Sequence, residues 1–183
     1  GRITDTGPLT KKRMETIDEE VTAKALDFMT RAKQADKPFF LGVGYYRPHI
    51  PLWAPRKYFD LYRNEKIQLP KVLDTDLADL SPAGRQWALE AVTAGAHKTV
   101  VENNQWPAAV TAYLACVSFV DAQIGRLLDA LDKSPHKVNT IVVLFGDHGW
   151  HLGEKQHWGK WTGWERATRV PLIVAPAASQ ASG

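Results

Sequence analysis

One cysteine, two methionines and no long apolar tract occur in this 183-residue chain, and each shortage excludes something. Cys116, standing alone, can form neither an internal disulfide nor a cysteine cage for a metal. It lies in an apolar stretch of helical spacing with no histidine nearby, so it reads as a small buried hydrophobe rather than a reactive thiol. No stretch approaches the roughly 20 apolar residues of a membrane helix, which predicts no membrane span. Internal repeats and low-complexity tracts are also lacking, and the length fits one domain. A net charge of +3 gives no ground for nucleic-acid binding, although it is compatible with an anionic substrate. Disorder is excluded by the totals, with 44% hydrophobic and 23% charged residues.

What is present reads as alternating helices and strands. Ile17, Val21, Ala25, Phe28 and Met29 recur at helical spacing and predict a helix from Thr16 to Lys33. Asp18, Glu19 and Glu20 in its first turn complement the helix dipole. Phe39 to Gly44 reads as a short apolar strand bounded by glycine. Tyr45 to Gln105, with prolines at 48, 51, 55, 70 and 82, reads as a long irregular excursion holding one short helix near Gly84 to Ala96. Pro107 to Lys133 keeps helical spacing over about seven turns and carries a proline suited to the first turn. Ile141 to Phe145 is a continuous apolar run, the pattern of a strand buried on both faces. Val170 to Val174 is another strand candidate. This order predicts an α/β domain with a mostly parallel central sheet flanked by helices. The chain, opening at Gly1 without methionine, reads as a segment of something longer.

Chemistry is expected where the 141–145 strand ends, because ligands in such sheets collect beyond the carboxyl ends of strands. Gly146-Asp147-His148-Gly149 follows it directly. Asp147 offers hard oxygen ligands for a cation, and His148 could ligate a metal or donate to an anion. A turn in which Asp147 satisfies its own backbone explains the tripeptide equally well. The run after it is less ordinary, with Trp150, His151, His157, Trp158 and Lys160, then Trp161 and Trp164. Lys160 could reach back and pair with an anionic group.

These residues carry a family resemblance. Gly146-Asp147-His148-Gly149, Leu152-Gly153-Glu154, Lys160 and Arg169-Val170-Pro171-Leu172-Ile173 resemble the sulfatases of the alkaline phosphatase superfamily, with members like iduronate sulfatase nearest. Two further blocks agree in the same order: Pro38 to Gly44 followed by Arg47-Pro48-His49-Ile50-Pro51, and the helix around Val117 to Leu128. The resemblance implies that residues 1–183 are the central to C-terminal part of one catalytic domain. It implies that Asp147 is a calcium ligand with His148 beside it, and that Lys160 contacts the sulfate group. It also implies that His49 binds the ester oxygen and protonates the departing alcohol. Histidine is an unusual ligand for so hard a cation, which makes a direct bond from His148 less expected than one from Asp147. Arg47 and His151 could line the substrate pocket; His151 and His157 could equally well pack the loop onto itself.

Departures from the family pattern are as informative. The C-x-P-S-R motif, whose cysteine becomes the family's formylglycine nucleophile, is absent, since Cys116 is followed by Val117, Ser118 and Phe119. The family's paired N-terminal acidic calcium ligands are missing too, and are expected upstream of Gly1 with the nucleophile. The implied activity is hydrolysis of a small-molecule or glycan sulfate ester by the complete enzyme, using one calcium ion, in a periplasmic, secreted or lysosomal setting. The rivals are a phosphonate monoester or phosphodiester hydrolase of the same superfamily, a non-catalytic module binding sulfated glycans, and a zinc hydrolase using His148, His151 and His157.

Overall fold

A computed structural model describes residues 6–9, 16–32, 37–91, 95–177 and 179. In chain order the elements are β1 (Thr6–Pro8), α1 (Ile17–Ala32), β2 (Leu52–Ala54), α2 (Arg56–Asp60), α3 (Pro82–Leu89), α4 (His97–Glu102) and α5 (Trp106–Asp132). They continue with β3 (Val142–Phe145), β4 (His151–Leu152), β5 (Trp158–Gly159), α6 (Glu165–Thr168) and β6 (Leu172–Ala175).

α5 is the axis of the core. Ala109, Ala112, Cys116, Phe119 and Gln123 return every three or four residues and form its buried stripe. Four of its buried residues are alanines or a cysteine, and it packs against β2, whose Leu52 and Ala54 are fully buried, so the backbones approach closely. Contrary to expectation, α5 is long and apolar enough to cross a membrane, with 27 residues and a window of mean hydropathy 1.4. Its alanines, spread among scattered polar residues, hide that total from a search for uninterrupted apolar runs. Here its apolar stripe packs into the core beside α1, α2 and β2.

α1 begins with a reciprocal cap: Glu19 N–H donates to Thr16 Oγ1 (3.2 Å), and Thr16 N–H donates to Glu19 Oε2 (3.1 Å). Its buried face is Asp18, Thr22, Ala25 and Met29, rotated from the expected apolar face, and Ile17 is exposed. Two polar side chains win burial because they serve the 45–50 loop. The end of the expected helix, Lys33, lies outside the described residues.

The excursion from 45 to 105 is more ordered than expected, holding β2 and three short helices. Ser81 caps α3 by accepting from Gly84 N–H (3.2 Å), and α3 ends at Leu89, earlier than expected. Residues 39–44 form no strand; they alternate half-buried and exposed, with Phe40 96% exposed. The alternation of a strand is present, but no described residue supplies the ladder partner that a strand requires.

The α/β class holds, but the described strands pair only in twos. β1 and β2 are parallel, whereas β3–β6 and β4–β5 are antiparallel. The expectation that 141–145 is buried on both faces is overturned: Val143 is 52% and Phe145 67% exposed. A two-stranded ribbon has no neighbours to cover both faces, and β6 is exposed throughout.

Candidate functional site

At the end of β3 the chain turns tightly against α6. Gly146 N–H donates to Pro171 O (3.2 Å) and Gly149 N–H to Ala167 O (2.8 Å). A Cβ on Gly149 would collide with the Arg166 carbonyl oxygen and stand 3.0 Å from its carbon, so only glycine passes here.

Between these glycines Asp147 projects outward with its side chain 86% exposed, and its Oδ1 accepts from His148 N–H (3.1 Å). This is the self-satisfying turn anticipated for the tripeptide, yet Oδ2 remains directed toward His148 Nε2 at 3.6 Å. His148 Nδ1 lies 2.8 Å from Gly149 O. A carbonyl only accepts, which assigns the proton to Nδ1 and leaves a lone pair on Nε2. That lone pair faces Lys160 Nζ at 2.8 Å.

His49 reaches the same place from the other half of the chain. Its ring centroid is 6.4 Å from that of His148 and 5.9 Å from that of Trp150. Its Nδ1 lies 2.8 Å from Ile50 O, so Nε2 is the nitrogen left for chemistry. The loop holding it is braced at several points. Tyr46 Oη donates to Ile50 O (2.8 Å), His49 N–H donates to Tyr46 O (3.0 Å), and the Tyr46 ring lies against the imidazole at 5.0 Å. Asp18, 1% exposed, accepts the Tyr46 N–H (2.6 Å), and Thr22 Oγ1 and Tyr45 Oη lie 3.2 Å apart. Sequence reasoning read Asp18 only as a dipole partner; a carboxylate in register with Thr22 and Ala25 was the missed signal.

Lys160 is placed by the β4–β5 hairpin, registered His151 to Gly159 and Leu152 to Trp158. Two tryptophans pin it: Trp106 Nε1 donates to Leu152 O (2.8 Å), and Trp158 Nε1 donates to His97 Nδ1 (2.9 Å). The turn uses Gly153 at φ +121°, where any Cβ would strike the Trp106 ring. Lys155 and Gln156 follow at φ 55° and 53°, and Lys155 Nζ pairs with Asp76 at 2.8 Å. Burial opposes ionisation of Asp76, but hydrogen bonds from Lys155 outweigh it and hold the carboxyl below its ordinary pKa.

Two expected pocket residues are elsewhere. His151 is fully buried, with Nε2 2.9 Å from Thr162 Oγ1 and Nδ1 3.2 Å from Glu154 O, so it has no face open to a ligand. Arg47 commits its Nε to Trp53 O (2.8 Å) and lies over the Tyr46 ring at 5.1 Å, bracing the loop. The zinc triad fails on the same ground: His151 has both nitrogens engaged, and His157 is buried with Nδ1 2.9 Å from Ala88 O. Cys116 is inert, its thiol pushed up to about 12 by burial.

Among the described residues no three His, Cys, Asp or Glu side chains gather as a metal cluster. Asp147 suits a hard cation through its exposed carboxylate, and His148 could add a nitrogen only if its lone pair were released from Lys160. Two donors fall short of the six to eight oxygens that calcium takes, so a calcium site here needs ligands from other residues.

Comparison with known proteins addresses the family. The family model "Sulfatase" matches residues 3–182. A sulfatase of Formosa agariphila is 46% identical over 143 residues, covering 78% of this chain and 28% of that protein. Human iduronate 2-sulfatase is 34% identical over 165 residues, covering 85% of this chain and 30% of its own. Among solved structures, the phosphonate monoester hydrolase of Silicibacter pomeroyi superposes with a TM-score of 0.69 at 27% identity, over 90% of this chain and 33% of that one. The chain thus spans about a third of the length of the relatives it matches. With a family model spanning nearly all of its residues, the chain belongs to the sulfatase family.

Proposed function

We propose that the full-length protein hydrolyses sulfate esters, with His49, Asp147, His148 and Lys160 forming one side of its active site. The observation that carries this reading is the convergence of residues distant in sequence: Lys160 Nζ lies 2.8 Å from His148 Nε2, and the His49 ring centroid lies 6.4 Å from that of His148.

Cleavage of a sulfate ester moves negative charge onto the equatorial and leaving oxygens. The Lys160 ammonium balances charge on the equatorial oxygens as a compact donor. His49, protonated at Nε2, delivers a proton to the departing alcohol oxygen, while the Ile50 carbonyl holds the ring through Nδ1. Asp147, with His148 beside it, would help hold a calcium ion, which supplies Lewis-acid polarisation of the sulfate group. The nucleophile expected of the family, a formylglycine, would come from residues outside these 183. Support for a sugar sulfate as substrate comes from the likeness to iduronate 2-sulfatase.

Two variants of the full-length protein test the reading on aryl sulfates of graded leaving-group acidity. Lys160→Ala should lower kcat/KM about a hundredfold or more on every substrate. His49→Ala should cost roughly a hundredfold or more on poor leaving groups and much less on acidic phenols, which need no proton. Wild-type activity unchanged in both variants would sink the assignment. The likeness to a phosphonate monoester hydrolase makes a second reaction worth assaying in parallel. Faster turnover of an aryl phosphonate monoester than of the matching sulfate would move the protein to that class.

A further inference from the structure

Beside Lys160 the surface opens into a cleft of about 480 Å³ lined by Trp87, Glu90, Lys160, Trp161, Thr162 and Gly163, with His49 not among its walls. That volume lies within the range of small-molecule sites, about 300–1,000 Å³. Trp161 is 53% and Trp87 46% exposed, although each is a large apolar side chain from which folding would gain by burial.

Local structure holds both rings at the surface. Thr162 N–H donates to Lys160 O (2.7 Å), making a tight turn with Trp161 at its apex. On one flank Thr162 is tied inward, its Oγ1 2.9 Å from buried His151 Nε2; on the other Lys160 faces His148. Trp87 is braced by Trp164, with ring centroids 6.1 Å apart, and Trp164 in turn lies 6.0 Å from the His151 ring.

Two exposed indoles offer flat apolar faces, while Glu90 supplies carboxylate oxygens that accept from hydroxyls. That combination suits a ring apolar on its faces and hydroxylated at its rim. A second sulfate or carboxylate near Glu90 would meet like charge, which favours a neutral ring. We propose that this cleft is a subsite for an uncharged sugar ring glycosidically joined to the sulfated one, so that Lys160 marks the boundary between the two. The inference rests on the sulfatase reading and adds the substrate class, a sulfated oligosaccharide rather than a simple aryl or alkyl sulfate.

Full-length Trp161→Ala and Trp87→Ala proteins, with folding checked by circular dichroism, would be assayed on a sulfated disaccharide bearing a neutral second ring and on a monocyclic aryl sulfate. The expected result is a loss of about tenfold or more in kcat/KM on the disaccharide, mainly through KM, several times larger than any loss on the aryl sulfate. Trp161→Phe should recover most of it. Equal losses on both substrates would overturn the proposal, since the indoles would then only support Lys160; so would no loss on the disaccharide. Titration with the unsulfated disaccharide separates this inference from the reading beneath it. A protein that hydrolyses no sulfate ester yet binds this sugar through Trp161 would retain the subsite and lose the sulfatase assignment. Equal binding by wild type and Trp161→Ala would end the subsite proposal whatever the catalytic outcome.

Discussion

Gly149 shows how little freedom single positions have around Asp147 and His148. Its N–H is held by Ala167, and the space a methyl group would need is taken by the Arg166 backbone. Because the obstacle is main chain, no rotamer change relieves it. Gly149→Ala should therefore lower stability by about 3 kcal/mol, read as a shift in the denaturant midpoint; a change below about 0.5 kcal/mol would contradict the packing described. Individual residues were unequally legible in the sequence. His49, Asp147, His148 and Lys160 stood out because reactive side chains beside glycine, proline and tryptophan are conspicuous. Asp18 did not, since its partner is a backbone N–H 28 residues away that no local pattern announces. His151 was open to two readings, pocket lining or loop packing, and only the engagement of both its nitrogens by Thr162 and Glu154 decides for packing.

Among the elements, the β4–β5 hairpin has the most distinctive chemistry. Burial pushes the imidazoles of His151 and His157 below their ordinary pKa, and burial does the same to His97 beside it. All three therefore stay neutral in the fold at pH values where an unfolded imidazole, with a pKa of about 6.5, takes up a proton. Their contribution to stability is intact above roughly pH 6.5 and is lost as pH falls toward the depressed values, because the unfolded chain then binds more protons. Each imidazole can add a slope of up to about 1.4 kcal/mol per pH unit in that window. Melting temperatures between pH 7.5 and 5 should fall accordingly, and His157→Gln should flatten the curve whatever it does to stability at pH 7.5; an unaltered slope would refute the assignment. Elements with long periodicity, α5 above all, were visible from spacing alone. β4 and β5 were not, because two-residue strands carry no period, and their pairing depends on hydrogen bonds from Trp106 and Trp158.

For the molecule as a whole, the exposed apolar surface stands out. Phe40, Val143, Phe145, Leu172, Ile173 and Val174 are each more than half exposed, and five of the six lie on β3 and β6. Large apolar side chains exposed along one ribbon in this way commonly mark a contact surface. The 183-residue chain produced alone should bind an apolar fluorescent dye, and a Phe145→Lys, Ile173→Lys double variant should bind about half as much. The same preparation should hydrolyse no aryl sulfate, lacking a C-x-P-S-R sequence. Dye binding equal in both proteins, or calcium-dependent turnover, would contradict these expectations. An α/β class could be inferred from element order, whereas sheet direction could not: β3 and β6 run antiparallel, and only their register reveals it. One consequence extends past the residues that meet a substrate. The Tyr46 backbone is fastened to Asp18 inside α1, so His49 takes its position from a helix whose own side chains are not among the proposed catalytic groups. Evolution could then adjust turnover through substitutions on the buried side of that first helix, far from the pocket, and homologues with identical catalytic groups could differ in rate for this reason alone.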